Sequence, residues 1–177
     1  MDDPFPTDTG LFPTQGPWRA PETLGEETPD RRLRAWLACS GSLTRALRAA
    51  CPEGFGLRIH RRFSILLPRE EADLLRVPAG SPVLQREVWL LCRGQEVVFA
   101  RSWIPEGALS DPGEYPLGDR LFEPGAGAER LRLEAAPVSA AEGSLWARRS
   151  LHQVGPGRLL VGEVFLPAME ALCPPPD

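Results

Sequence analysis

The sequence predicts an α+β fold: a single, mostly antiparallel sheet of about six strands, with short peripheral helices packed on one side of it. Three observations lead there. Residues 83–105 and 145–168 each hold two runs rich in Val, Leu, Trp and Phe, separated once by a glycine-containing turn, which is a hairpin pattern. The helical stretches are few and short. With 177 residues, of which 42% are hydrophobic, the chain can bury one core but not comfortably two.

In chain order, residues 1–28 are rich in Pro, Thr, Gly and acids, so a flexible, loosely held Pro-rich N-terminal arm is expected, with Trp18 as a docking side chain. The domain itself spans 29–170, and 171–177 form a C-terminal tail ending in CPPPD. DRRLRAWLACS places Leu33, Trp36 and Leu37 on one helical face. After a Ser/Gly break, SGSLTRALRAAC places Leu43, Ala46 and Leu47 on another. LRIHRRFSILL, residues 57–67, has strand character, and the proline of PREEADLLRV suits the first turn of a short helix. VLQREVWLLC and VVFARSWIP form the first hairpin, turning at Gly94. ERLRLEAA is a weaker strand, and LWARRSLHQV with RLLVGEVFLP forms the second hairpin, turning at residues 155–157. The arginines of HRRF and LWARRS alternate with apolar residues, as on solvated strand faces. EPGAGAER reads as a flexible loop rather than a phosphate cradle.

Several function classes drop out. A net charge of -4 gives no general attraction to nucleic acid or to an anionic membrane, so neither is expected as a partner. No apolar run approaches the roughly 20 residues of a membrane span, and MDDPFPTDTG is unlike a signal peptide, so a monomeric cytoplasmic protein is expected. Cys39, Cys51, Cys92 and Cys173 are widely spaced without a C-x-x-C pair, which points to reduced thiols rather than a zinc site or a disulfide framework. His60 and His152 have no carboxylate or cysteine at ligand spacing, so surface or packing roles are expected, and no metal. Nucleophile-elbow, P-loop and dinucleotide fingerprints are absent from the sequence.

The strand faces carry the informative chemistry, because alternate side chains point the same way. Glu163 shares a face with Leu159, Val161 and Phe165. Arg86 shares one with Leu84, Val88 and Leu90, while Gln85, Glu87 and Trp89 point the other way. Arg101 falls with Val97, Phe99 and Trp103. Three strands thus each place one charge among large apolar side chains. That pattern fits a buried ion pair or a sheet with two partly wet faces. It equally fits an enclosed, mostly apolar pocket where two guanidiniums and one carboxylate converge on a small ligand carrying two carboxylates and a hydroxyl.

The blocks GSLTRALR (41–48), LQREVWLLCRGQEVVFARSWIP (84–105), PLGDRLF (116–122), LWARRS (145–150) and LLVGEVFLPA (159–168), in this order and spacing, resemble chorismate lyase of ubiquinone biosynthesis. The likeness covers nearly all of residues 30–168. It implies one antiparallel sheet enclosing the ligand beneath two helical flaps, no metal or organic cofactor, and conversion of chorismate to 4-hydroxybenzoate and pyruvate. By the same resemblance Arg86 matches the arginine that holds the ring carboxylate, and Glu163 the glutamate that meets the ring hydroxyl. Leu43 and Leu117 match the flap positions whose backbone amides contact the carboxylate, and Arg101 matches the second inward arginine. Two positions depart from the family pattern: Ala100, where some relatives have glycine, and Gly162, where threonine commonly precedes the glutamate. The same resemblance leaves room for a non-catalytic small-molecule-binding domain, like the effector domains of certain bacterial transcription regulators, and for a related lyase forming another hydroxybenzoate.

Overall fold

Alternating apolar residues and two-residue turns build a six-stranded, wholly antiparallel sheet. The structure is a computed structural model that describes residues 4–5, 10–26, 30–110 and 112–175. The strands are β1 (Phe55–Leu66), β2 (Pro82–Cys92), β3 (Gln95–Pro105), β4 (Ala128–Ala140), β5 (Gly143–Val154) and β6 (Gly157–Phe165), in the spatial order β1-β2-β3-β6-β5-β4. The helices are α1 (Arg31–Leu37), α2 (Leu43–Ala50), α3 (Arg69–Leu75) and α4 (Leu117–Leu121), with 3-10 turns at Pro21–Thr23 and Pro167–Ala171. Both predicted hairpins are present. Arg93 and Gly94 both have positive φ, +51° and +78°, as a tight two-residue turn matching the strand twist requires. Gly155 at φ +54° opens the two-residue turn that joins β5 to β6 by pairing Val154 with Gly157.

Helices cover both faces of the sheet, not the single side the pattern suggested. On the front face, α1 and α2 bring Trp36, Leu37, Leu43 and Leu47 against Val88, Leu90, Val98, Ala100 and Phe165. Beside them, α4 brings Leu117 and Leu121 against Ile104, Leu159 and Val161. On the back face, α3 places Ala72 and Leu75 in a core with Val83, Phe99, Trp103, Leu160 and Val164.

The N-terminal segment joins that back core. Its expected looseness bears in part on residues 1–3, 6–9 and 27–28, which lie outside the described residues. The described part is packed: Phe5, Leu11 and Phe12 are at most 3% exposed and form the far wall of the back core. The segment then bonds along edge strand β4, with Gln15 N–H donating to the Pro137 carbonyl (2.9 Å) and Arg19 exchanging hydrogen bonds with Ala135 (3.0 and 2.7 Å). Leu24 finally reaches the front core. A strap thus covers one sheet edge that would otherwise offer unpaired backbone groups. Trp18 docks as predicted, its ring under the Arg149 guanidinium at 4.7 Å.

The cysteines depart from expectation too. Cys51 and Cys92 form a disulfide, while Cys39 and Cys173 are free. Spacing could not reveal it: the two are 41 positions apart, but the C-cap of α2 lands beside the end of β2 with a Cα–Cα distance of 5.9 Å.

Candidate active site

The antiparallel register decides which charges meet. Arg86 lies opposite Ser102, Ser102 opposite Val161, and Val161 opposite Ser150; one row along, Val88, Ala100, Glu163 and Arg148 follow each other across four strands. All of these side chains point to the front face. Arg86 and Glu163 are therefore together, two strands or about 10 Å apart laterally, with the Ala100 methyl and Ser102 hydroxyl on the floor between them. Both charged groups are buried, at 2% and 8% exposure.

Two covers close over this floor. Ser42 caps α2 by accepting from the Arg45 N–H (3.2 Å), which sets Leu43 as the first helical residue; Leu117 is likewise first in α4. Backbone N–H groups in a first turn lack intrahelical acceptors, so both positions can offer donors to an anion. The covers abut: a Cβ on Gly118 would sit 2.9 Å from Thr44 Oγ1 and 3.1 Å from Ser42 Oγ. Arg48 and Asp119 add a bidentate pair at 2.7 and 2.8 Å. Arg86 is tied to the second cover by its Nη2, which donates to the carbonyls of Tyr115 (2.8 Å) and Gly113 (3.2 Å), just before α4.

Arg101 is not in this site. A β-bulge between Leu90 and Leu91 adds one residue to β3, so Glu87, rather than Arg86, lies opposite Arg101. A one-residue shift moves a side chain to the other face. Arg101 is instead fully buried on the back, with Nε 2.9 Å from Glu87 Oε1 and Nη1 and Nη2 donating to the carbonyls of Leu11 and Phe5 at 2.6 Å each. Gln85, Arg61 and Trp103 complete that network around Glu87. The predicted convergence of Arg86, Arg101 and Glu163 is corrected to Arg86, Glu163 and a different arginine.

That arginine is Arg148. Its Nε donates to Glu163 Oε2 at 2.5 Å, and it is 3% exposed, not on a solvated face. The signal lay in the turn: a loop of three residues at 155–157 sets Arg149 opposite Glu163, whereas the two-residue turn observed sets Arg148 there. Arg149 goes to the back, paired with Glu134 at 2.8 Å. Arg130 approaches from β4, and burial, then the Arg148 charge, lowers its pKa. His152 is buried beside Ser150 Oγ (3.0 Å), and burial, then the charges of Arg130 and Arg148, lower its pKa to about 4. It fills a packing role as a neutral ring. The front face thus concentrates positive charge around one carboxylate, an arrangement suited to an anionic ligand with a hydroxyl.

The chorismate lyase family profile matches residues 13–171. The chain belongs to the chorismate lyase family. A probable chorismate pyruvate-lyase of Methylococcus capsulatus is 38% identical over 157 residues, covering 77% of this chain and 96% of that one. Another, of Bordetella pertussis, is 33% identical with 99% and 98% covered. Solved structures share the fold: the effector domain of PhnF from Mycobacterium smegmatis superposes with a TM-score of 0.53 at 17% identity, over 72% of this chain and 90% of that one. The ligand-binding domain of a GntR-family regulator from Bordetella bronchiseptica gives 0.51 at 19%, over 64% and 84%. The chorismate lyase fold is therefore the one the residues predicted, with no helix among the described residues long and apolar enough to cross a membrane.

Proposed function

We propose that this chain is a chorismate pyruvate-lyase that converts chorismate to 4-hydroxybenzoate and pyruvate, the step that commits chorismate to ubiquinone. The observation that carries the reading is the placement of Arg86 and Glu163 on one buried face beneath α2 and α4 in a member of this family. Arg86 binds the ring carboxylate through a charge-assisted contact, joined by the backbone N–H groups of Leu43 and Leu117. Glu163 accepts a hydrogen bond from the ring hydroxyl.

With both ends of the ring held, the enolpyruvyl ether is confined over the ring in a reactive conformer, so the protein contributes by orientation. The ether C–O bond at the ring breaks, the ring hydrogen on the hydroxyl-bearing carbon moves to the enolpyruvyl methylene, and the ring becomes aromatic while pyruvate leaves. Atoms and charge balance without an external acid or base. The positive field of Arg86, Arg148 and Arg130 stabilises negative charge on the departing enolpyruvyl oxygen.

The test is direct. Purified protein incubated with chorismate should release 4-hydroxybenzoate and pyruvate in equal amounts, measured by chromatography and by a lactate-dehydrogenase-coupled assay. Binding of chorismate without release of either product would overturn the reading in favour of a non-catalytic ligand-binding domain, and a differently substituted hydroxybenzoate would place the chain with a related lyase.

A further inference from the structure

We propose that Arg148 is a positioning residue that aims Glu163 at the ring hydroxyl and links that contact to the cover formed by α2; this rests on the reading of Glu163 given above. The carboxylate has two oxygens. Oε2 is taken by Arg148 Nε at 2.5 Å, and among the described residues Oε1 has no donor, so the salt bridge selects which oxygen faces a ligand. The guanidinium is itself fixed on other sides. Its Nη1 donates to the carbonyls of Cys39 (3.1 Å) and Trp36 (3.4 Å) at the C-terminal end of α1, where a cation is favoured. Its central carbon lies 5.9 Å from the centre of the Phe165 ring. A rotation of the Glu163 side chain would have to break the Nε bond, and a rotation of Arg148 would have to release two carbonyls as well.

The partners of Nη1 give the arrangement its second function. Cys39 opens the short loop that ends at Ser42, the cap of α2, and Arg130 holds the same loop through the Cys39 carbonyl (3.5 Å) and the Ser40 carbonyl. The hydroxyl-binding carboxylate is thereby connected through one side chain to the base of the first cover. Arg86 is connected in the same manner to the segment before α4. Each end of the ligand is met by a side chain tied to one cover, so closing both covers and orienting both contacts are one event. A purely structural ion pair offers no reason for this placement, because replacing a buried pair with apolar side chains often stabilises a protein.

In recognition of the hydroxyl, Arg148 acts only through Glu163, which a double-mutant cycle reads. Calorimetric titrations with 4-hydroxybenzoate and benzoate give the contribution of the hydroxyl as the ratio of the two affinities. Wild type should favour 4-hydroxybenzoate at least tenfold; equal affinities there would overturn the hydroxyl reading of Glu163 itself, separately from Arg148. Arg148→Met should reduce the ratio at least fivefold while benzoate affinity, set by Arg86, changes less than threefold, and Arg148→Lys should recover part of the ratio. Because Arg148→Met strands a buried carboxylate and can prevent folding, the comparison of Glu163→Gln with the Glu163→Gln, Arg148→Met double variant, where the pair is neutral, supplies the remaining side of the cycle. There, Arg148→Met should leave the ratio unchanged. An unchanged ratio in the single variant, an equal loss for both ligands, or a further loss of the ratio in the Glu163→Gln background would each overturn the proposal.

Discussion

Two arginines separate ligand binding from stability most cleanly. Arg86 faces the site and Arg101 the back core, although both are buried on adjacent strands. Arg86→Ala is expected to cost on the order of 2 to 4 kcal/mol of ligand binding or transition-state stabilisation by removing a charge-assisted contact. Arg101→Ala is expected to cost about 3 to 5 kcal/mol of folding stability, because it takes from buried Glu87 its fully buried arginine partner and releases the carbonyls of Phe5 and Leu11. Denaturant titration and chorismate turnover on both variants check the contrast; an Arg101→Ala variant that folds normally but no longer turns over would contradict the assignment. His152 supplies a pH dependence. Its pKa falls from 6.5 in the unfolded chain to about 4 in the folded one, so the unfolded state binds more protons between these values. The associated stability is fully present above pH 6.5 and is lost as pH falls toward 4, on the order of 3 kcal/mol in total. His152→Gln should flatten that part of the curve of melting temperature against pH, with Glu163 and the arginines left in place.

Among the elements, α2 and the N-terminal strap are secured in different ways. The disulfide ties the C-terminal end of α2 to the end of β2, while Leu43 at the other end of the helix covers the site. Closing a loop of 41 residues is worth about 4 kcal/mol in the chain-entropy view. Cys51→Ser, or reduction of the wild type, should therefore lower the unfolding midpoint, and thiol titration under denaturing conditions should count two more free thiols after reduction than before. The strap depends on Gly162. A Cβ there would lie 2.5 Å from Leu11 Cδ2 and from Phe12 Cε2, so this glycine is the vacancy into which the strap packs. Gly162→Ala should displace those two side chains and cost about 1 to 3 kcal/mol, read by thermal unfolding, even though the neighbouring Glu163 points to the opposite face.

At the scale of the whole molecule, the sheet spreads Arg86 and Glu163 over β2 and β6, and helices from separate parts of the chain close over both. If the proposed function holds, a product held at its carboxylate by Arg86 and at its hydroxyl by Glu163 leaves only when a cover opens, so 4-hydroxybenzoate should compete with chorismate and release should limit turnover. In 3-hydroxybenzoate the hydroxyl misses Glu163 while the carboxylate stays on Arg86, and it should bind at least tenfold more weakly, about 1.4 kcal/mol. Inhibition constants for the two isomers measure this, and equal values would remove Glu163 as the hydroxyl's partner. The sequence by itself determined the sheet, both hairpins and the inward placement of Arg86 and Glu163, because alternation and turn glycines act over a few residues and leave a local trace. What only the tertiary structure decided depends on contacts between distant segments. The bulge that removes Arg101 from the site falls in Val97 and Val98, two apolar residues that look alike in either register. The choice of Arg148 over Arg149 turns on one residue of loop length. The pairing of Cys51 with Cys92, and the burial of Phe5, Leu11 and Phe12 from a proline-rich segment, require knowing which surface lies opposite, and that is set by the folding of the whole chain rather than by any local run of residues.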